Sequence, residues 1–327
     1  MPECPAAAAA MLRPHKMLWL FVLLSTGVGG AVRGGPQAAA PAPPSVDVLT
    51  ERPLPLWPGG VITKEHRDAA RRSPASTFLQ QFDDYYHRAY DTRVMRHLRG
   101  FGVAENTSLL YWSREYEYVF HFSAIHRFLP DNGTVFDLGC GVNFFMWALA
   151  RSVPSVRLHG LDNNPAFQAV LEDVAQMEGA AFTFKLADLE RPLPAPSSSA
   201  DVVYCVSVLE HMSEPMPLVR EVDRVLRPGG VFVVTFDVLT SKKAASLRKL
   251  FHTTVALAMQ LLQRLDSVFE RVVPSSQGAM KKADFYRPGL LHPRDGPSTT
   301  PEYMKAFPLV VYCGVWRKRQ AVPGTAT

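Results

Sequence analysis

A doubly wound α/β fold, with a largely parallel sheet and helices on both faces, is the fold class this sequence predicts. Three observations predict it. Short β-rich runs alternate with helical stretches between Thr134 and Phe236, the pattern of a sheet wound through crossover helices. The first run leads into Asp137-Leu138-Gly139-Cys140-Gly141, a tight Gly-x-Gly turn ahead of an apolar helix. Acidic residues recur at the ends of successive runs, the edge where ligands sit in such sheets.

Composition is consistent with that fold. The 327 residues are 47% apolar and 20% charged, ordinary for a globular protein with a sizeable core. The net charge of +5 is concentrated in part near the termini, at Arg13, Lys16, Arg33, Arg317, Lys318 and Arg319. No dense basic block is interleaved with aromatics, so a nucleic-acid partner is not expected. The four cysteines, Cys4, Cys140, Cys205 and Cys313, make neither a CxxC nor a Cys/His cluster, so no metal site is expected. They do not form a disulfide framework either; a Cys140–Cys205 bridge would distort the glycine turn.

The N-terminal segment, residues 1–33, reads as a secretory signal peptide or a signal-anchor. A basic flank (Arg13, Lys16) precedes the apolar core Met17 to Leu24, and small residues follow. The apolar core is short against the roughly 20 residues of a membrane span. An anchor that stays in the membrane and a bipartite organelle-import signal are the alternatives. Two sequons, Asn106-Thr107-Ser108 and Asn132-Gly133-Thr134, would be modified only in the secretory lumen. Residues 34–74, rich in Pro, Ala and Gly over their first half, read as a linker.

Residues 75–130 form a helical lead-in. Apolar spacing predicts a helix from Thr77 to Leu98 and a second from Ser113, a plausible N-cap, to Phe128. The second is dense in aromatics. Two readings stand for it: a helix packed on the sheet, or a partly wet lid with Tyr116, Glu117 or Tyr118 reaching in.

The main domain spans residues 131–318, with a tail at 319–327. Its predicted strands are Thr134–Leu138, Val156–Leu161, Ala181–Leu186, Asp201–Val206 and Val231–Phe236. Helices are predicted over Phe144–Ser152, Pro165–Met177 and Pro215–Leu226. Arg227-Pro228-Gly229-Gly230 is expected to close the last of these sharply. Ser241 to Leu265 reads as a further helix, basic and then apolar, on the outside of the sheet or at a membrane surface. Phe269–Val273 and Phe307–Trp316 read as a C-terminal antiparallel strand pair, which brings the sheet to seven strands. The long segment between them, Pro274 to Ala306, contains Tyr286, His292 and Tyr303 as candidate acceptor contacts.

The polar signals collect at one edge. Asp137 ends the first strand and Asp162 the second. Asp162 lies about 20 residues past the glycines, where an acid accepts ribose hydroxyls. Asp188 follows the third strand, and Glu210-His211 follow the fourth.

These motifs, in this order, resemble the class I S-adenosylmethionine-dependent methyltransferases, a Rossmann-like family. They are Val135-Phe136-Asp137-Leu138-Gly139-Cys140-Gly141, Gly160-Leu161-Asp162-Asn163-Asn164-Pro165, Ala187-Asp188-Leu189, Asp201 to His211 and Leu226 to Gly230. The similarity is greatest to the branch that acts on small molecules (methyltransferase type 11-like). It is strong from about Leu129 to Asp237. The resemblance implies that Gly139, Cys140 and Gly141 approach the methionine moiety, with Asp137 near its amino group. Asp162 would bind the ribose, Asn163 would lie beside the adenine, and Asp188 would meet its amino group with Leu189 packed nearby. Cys205 and Val206 would line the methionyl arm. One position departs from the family: Asn143 stands where a third glycine is usual.

The reaction expected from the resemblance is methyl transfer from S-adenosylmethionine to a small-molecule or lipid-like acceptor. His211 and Glu210 are the candidates for acceptor positioning or general-base work. The alternative for that pair is a purely local role, capping the next helix. Two other functions remain open at this point: a non-catalytic cofactor-binding protein, and a nicotinamide-dependent oxidoreductase. The latter expects G-x-G-x-x-G, and its last position here is Phe144.

Overall fold

The computed structural model describes residues 42–49, 53–90, 110, 112–241, 253–296, 305 and 307–320. The expected N-terminal signal, Asn106, the basic stretch 242–252 and Tyr303 lie outside the described residues.

Eight strands form one sheet. In chain order the elements are β1 (Gly60–Val61), α1 (Lys64–Arg71), α2 (Pro74–Ala89), α3 (Arg114–Phe128), β2 (Thr134–Leu138), α4 (Phe145–Ser152), β3 (Arg157–Asp162), α5 (Phe167–Glu178), β4 (Phe182–Leu186), β5 (Ala200–Val206), α6 (Met216–Val225), β6 (Leu226–Leu239), α7 (Val255–Val268), β7 (Phe269–Arg271) and β8 (Leu309–Lys318). The sheet order is β1-β8-β6-β5-β2-β3-β4, with β7 also pairing β8. The strands from β4 to β6 run parallel, and β8 closes the sheet antiparallel to β6. From β2 the chain winds outward through β3 to β4, then returns to place β5 on the other side of β2. That reversal opens a crevice beyond the carboxyl ends of β2 and β5.

Two apolar layers sandwich the sheet. One joins α2, α3, α4 and α5 to inward residues such as Val135, Val202 and Val233. The other joins α6 and α7 to Phe136, Val203, Phe232 and Val234. The alternation follows the two-residue period of a strand. It therefore places Asp137 and Tyr204 on the first face and Cys205 on the second.

The sheet has one strand more than expected, and the extra strand comes from the stretch assigned to the linker. Gly60 and Val61 pair with Cys313 and Tyr312, and α1 follows with Thr63 as its N-cap. The fold therefore takes up chain well before residue 75. Local signals explain this: Thr63 caps, and Ser73 with Pro74 at the next helical position starts α2. The linker boundary rested on the composition of its first half. The Arg227–Gly230 stretch also differs from expectation, because α6 ends at Val225 and these residues belong to the start of β6.

The second lead-in helix, α3, is buried from Glu115 to Ile125 and packs on β5, β6 and β8. Tyr116 donates from its hydroxyl to the Pro58 carbonyl at 2.7 Å. Tyr118 stacks on the ring of Phe145 and meets that of Phe144 edge to face. Both tyrosines are packed into the core, the arrangement of a helix on a sheet. Glu117 alone of the three faces a polar cluster.

Candidate active site

The centre of the site is the turn after β2. Gly139 has φ +71°, and a Cβ there would stand 2.6 Å from Cγ2 of Val208. Only glycine fits. The Gly139 and Cys140 N–H groups both donate to the Leu161 carbonyl, at 2.8 and 3.1 Å, which ties the turn to the end of β3. Gly141, with φ +53°, would meet nothing within 4 Å if it carried a Cβ. Its backbone borders open space.

Asp162 completes this cradle. Its Oδ2 accepts the Gly141 N–H at 2.9 Å and its Oδ1 accepts the Asn164 N–H at 3.0 Å. Burial raises its carboxyl, against the pull of these backbone donors. Each oxygen has a further lone pair, so the group can still accept a vicinal diol. Asp137, one strand over, accepts a hydrogen bond from the Tyr204 hydroxyl at 2.6 Å. Burial pushes its carboxyl up to about 8; the Tyr204 bond opposes the shift and the charge of Asp162 adds to it.

Asn143 takes over the third glycine's position by bracing the turn. Its Nδ2 donates to the Cys140 carbonyl at 2.7 Å, and its Oδ1 accepts the Phe145 N–H at 2.8 Å. One of the orphan donors of the α4 N-terminus is thereby satisfied within the chain.

On the rim, Asn163 and Asp188 are exposed and Leu189 is half-buried. Asp188 accepts the Glu190 N–H at 3.0 Å. These residues end β3 and β4, on the side of the cradle away from β5. Val206 is half-buried. Cys205 is fully buried on the opposite face of its strand. Cys140, Cys205 and Cys313 are all free, and burial raises each thiol well above its usual range.

A second polar group lies at the ends of β5 and β6. Ser207 holds φ +51°, an uncommon backbone state outside glycine. Its hydroxyl accepts from Arg114 Nη1 at 2.6 Å and lies 3.2 Å from Glu117 Oε1. Arg114 also forms an ion pair with Glu117. Glu210 sits in the short turn Leu209–His211, fully buried, with no hydrogen-bond partner at either carboxylate oxygen. Burial pushes its carboxyl up to about 8; the nearby N–H groups of Glu210 and Asp237, outside hydrogen-bonding geometry, and the charge of Arg114 oppose this, and Glu117 adds to it. Asp237, near the end of β6, is buried with Oδ1 unpartnered. Burial first, and then the charge of Glu210, raise it well above the carboxylate range. His211 is half-exposed beside them.

The structure thus brings Asp137, Gly139, Gly141 and Asp162 together, and places Glu210 and Glu117 in one adjoining cluster. It does not bring in Tyr286, which is 57% exposed in a turn packed near α7, on the other face of the sheet. His292 faces the Leu309 carbonyl. Tyr204, Arg114, Ser207 and Asp237 join the site without having been singled out from the sequence. Asp237 obeys the same rule as the other acids, an acid closing a parallel strand. Tyr204 was legible only through register, as the β5 residue opposite Asp137. Among the described residues no group of His, Cys, Asp and Glu side chains is placed to hold a metal ion.

Residues 136–234 match the family described as "Methyltransferase domain". This part of the chain is a class I S-adenosylmethionine-dependent methyltransferase domain. Curated relatives agree. The chain is 29% identical over 140 residues to the ubiquinone biosynthesis O-methyltransferase of Pseudomonas paraeruginosa, covering 39% of this chain and 58% of that one. It is 30% identical over 117 residues to the tRNA U34 carboxymethyltransferase of Shewanella sp., covering 36% and 35%. It is 31% identical over 96 residues to the malonyl-[acyl-carrier protein] O-methyltransferase of Hahella chejuensis, covering 29% and 33%. The chain spans between one third and three fifths of the length of these relatives. The acceptors named for these three relatives are chemically unlike.

Proposed function

We propose that this chain binds S-adenosylmethionine in the Gly139–Asp162 cradle and methylates a small-molecule or lipid-like acceptor. The observation that carries the reading is the Asp162 carboxylate. It is fixed by the N–H groups of Gly141 and Asn164, next to a glycine with open space beside it. That arrangement fits a ribose diol at the end of β3, with a methionyl group along the turn toward Asp137. When bound, the cofactor supplies an electrophilic methyl group. The chain's part is to hold the cofactor, exclude water and align an acceptor. We assign Glu210 and His211, in the turn that follows β5, to the acceptor side.

Acceptor contacts come in part from elements outside the matched residues 136–234. In this chain those are α1 to α3, α7, β8 and the 274–296 segment. A tRNA-modifying protein is among the chain's relatives, so relatedness does not by itself select the acceptor. The charge pattern favours a small acceptor, because the sequence lacks a dense basic surface block. The N-terminal segment, as a signal or anchor, would place the domain in the secretory pathway. No described helix is long and apolar enough to cross a membrane.

Titration calorimetry with S-adenosylmethionine, with NADH as comparator and Asp162→Ala as control, tests the reading. Micromolar binding of the sulfonium cofactor, lost in the variant, is the expected result. A folded protein that binds neither ligand overturns it.

A further inference from the structure

We propose that the Arg114–Glu117–Ser207–Glu210–Asp237 cluster is the acceptor subsite and that it takes a cationic nitrogen, so the acceptor is an amine. The inference rests on the methyltransferase reading for what happens to that nitrogen, and on the cluster alone for its charge preference.

Arg114 pairs with Glu117, and Glu210 and Asp237 lie near enough to feel its charge. Arg114 is already engaged by Glu117 and Ser207. Glu210 is fully buried and both its oxygens lack a partner; Asp237, 2% exposed, has an unpartnered Oδ1, and Thr235 Oγ1 beside it is also unpartnered. A buried polar atom without a partner costs free energy, and a buried carboxylate costs more. Several such acceptors converging on one place are explained by a donor that arrives from outside. An ammonium is the donor that suits these oxygens best: it carries several N–H groups, and its charge favours the ionised carboxyls that burial disfavours. No set of metal-ligating side chains is formed among the described residues, which leaves an organic cation, an ammonium group with several N–H donors.

The position fits. Val208, in contact range of any side chain at Gly139, joins the cradle to the turn that carries Glu210. Ser207 holds its left-handed backbone between the two, a strained conformation of the kind kept at binding sites. The methyl acceptor must lie next to the cradle on the β5 side, and the cluster is there.

The chemistry balances. The ammonium gives one proton to the Glu210 carboxylate, which becomes a carboxylic acid. The freed nitrogen lone pair forms the new N–C bond to the methyl carbon. The S–C bond breaks, and its electron pair stays on sulfur as a neutral thioether.

The test is thermal unfolding of the full chain with saturating S-adenosylhomocysteine at pH 7.5, titrated with n-hexylamine or with 1-hexanol. The amine should stabilise saturably, with an apparent Kd at least tenfold below that of the alcohol. Glu210→Gln, and separately Asp237→Asn, should bring the ratio toward one. Equal affinities in the wild type, or an unchanged ratio in both variants, overturns the proposal. The titration is repeated without S-adenosylhomocysteine. An amine preference that survives in a protein unable to bind S-adenosylhomocysteine keeps the subsite and removes the methyltransferase reading. A protein that binds S-adenosylhomocysteine but shows no amine preference does the reverse.

Discussion

The Tyr204 hydroxyl donates to Asp137 Oδ2 at 2.6 Å, and the two residues are register partners on adjacent parallel strands. The bond spans the switch point of the sheet. It couples the strand that carries the glycine turn to the strand that carries the acceptor cluster. Tyr204 is fully buried and its own hydroxyl is raised well above its usual range, first by burial and then by the Asp137 charge. It therefore remains a donor at every working pH, and Asp137 is the member that titrates.

Cofactor affinity should accordingly depend on pH. Asp137 is pushed up to about 8, so below that pH the cofactor-free protein holds it protonated. A cationic ligand favours the ionised form, and binding then releases a proton. Between pH 6 and 7.5 the affinity for S-adenosylmethionine should rise by up to about tenfold per pH unit. Asp137→Asn should flatten the profile. Tyr204→Phe should weaken binding at pH 7 by about tenfold, because it removes a hydrogen bond to a carboxylate. Calorimetry in two buffers of different ionisation enthalpy reads the proton directly, and a profile equally steep in Asp137→Asn would refute the assignment.

The two turn glycines should respond unequally to alanine. At Gly139 a Cβ meets Val208 at 2.6 Å as well as an unfavourable φ; at Gly141 only the φ is unfavourable. Gly139→Ala should cost about 1–3 kcal/mol of stability or displace Val208 and the 207–211 turn. Gly141→Ala should cost about 1–2 kcal/mol. Chemical denaturation of both variants checks the order, and equal losses would show that the Val208 contact is unimportant.

The parallel half of the sheet was legible because each strand is a short apolar run bounded by turn residues and closed by an acid. Thr134–Leu138 needed no more than that. β1 was not legible: two residues, Gly60 and Val61, carry no period, and they become a strand only because Cys313 and Tyr312 offer an open edge. The cradle residues followed from spacing along the chain. The acceptor cluster did not, since Arg114, Ser207 and Asp237 meet only through α3 crossing the ends of β5 and β6. Which face of a strand a residue takes decided the rest. Cys205 and Tyr204 are neighbours in sequence, yet only Tyr204 faces Asp137.

Asn143 offers a sharper test of how the turn is held. Its side chain bridges the Cys140 carbonyl and the Phe145 N–H, so Asn143→Ala frees both groups. The loss of a cap of this kind is worth about 0.5–2 kcal/mol. Asn143→Asp retains the acceptor to Phe145 and loses the donor to Cys140. S-adenosylmethionine affinity should fall in Asn143→Ala through a loosened turn. Asn143→Gly, the residue usual in the family, should lose stability while binding the cofactor at least as well as the alanine variant. If all three variants bind and melt as the wild type does, the bridge has no role in the turn.

Glu210 should make the cofactor-free protein lose stability as pH rises. Its folded value is raised to about 8 from an unfolded value near 4.5. Below the unfolded value both states hold the proton, and the group contributes no pH dependence. Between the two values the unfolded chain sheds the proton and the folded protein keeps it, so stability falls as pH rises and levels off above the folded value. Glu210→Gln cannot ionise and escapes this loss. It should match or slightly trail the wild type near pH 5, and exceed it by about 1–3 kcal/mol near pH 8. Asp237 shifts in the same direction, so a reduced slope should persist in Glu210→Gln and diminish further with Asp237→Asn added. Thermal unfolding at pH 5 and pH 8 reads the difference. A stability gap that stays constant between the two pH values would place Glu210 in contact with water or a fixed donor, and the orphaned carboxyl on which the amine subsite depends would be gone.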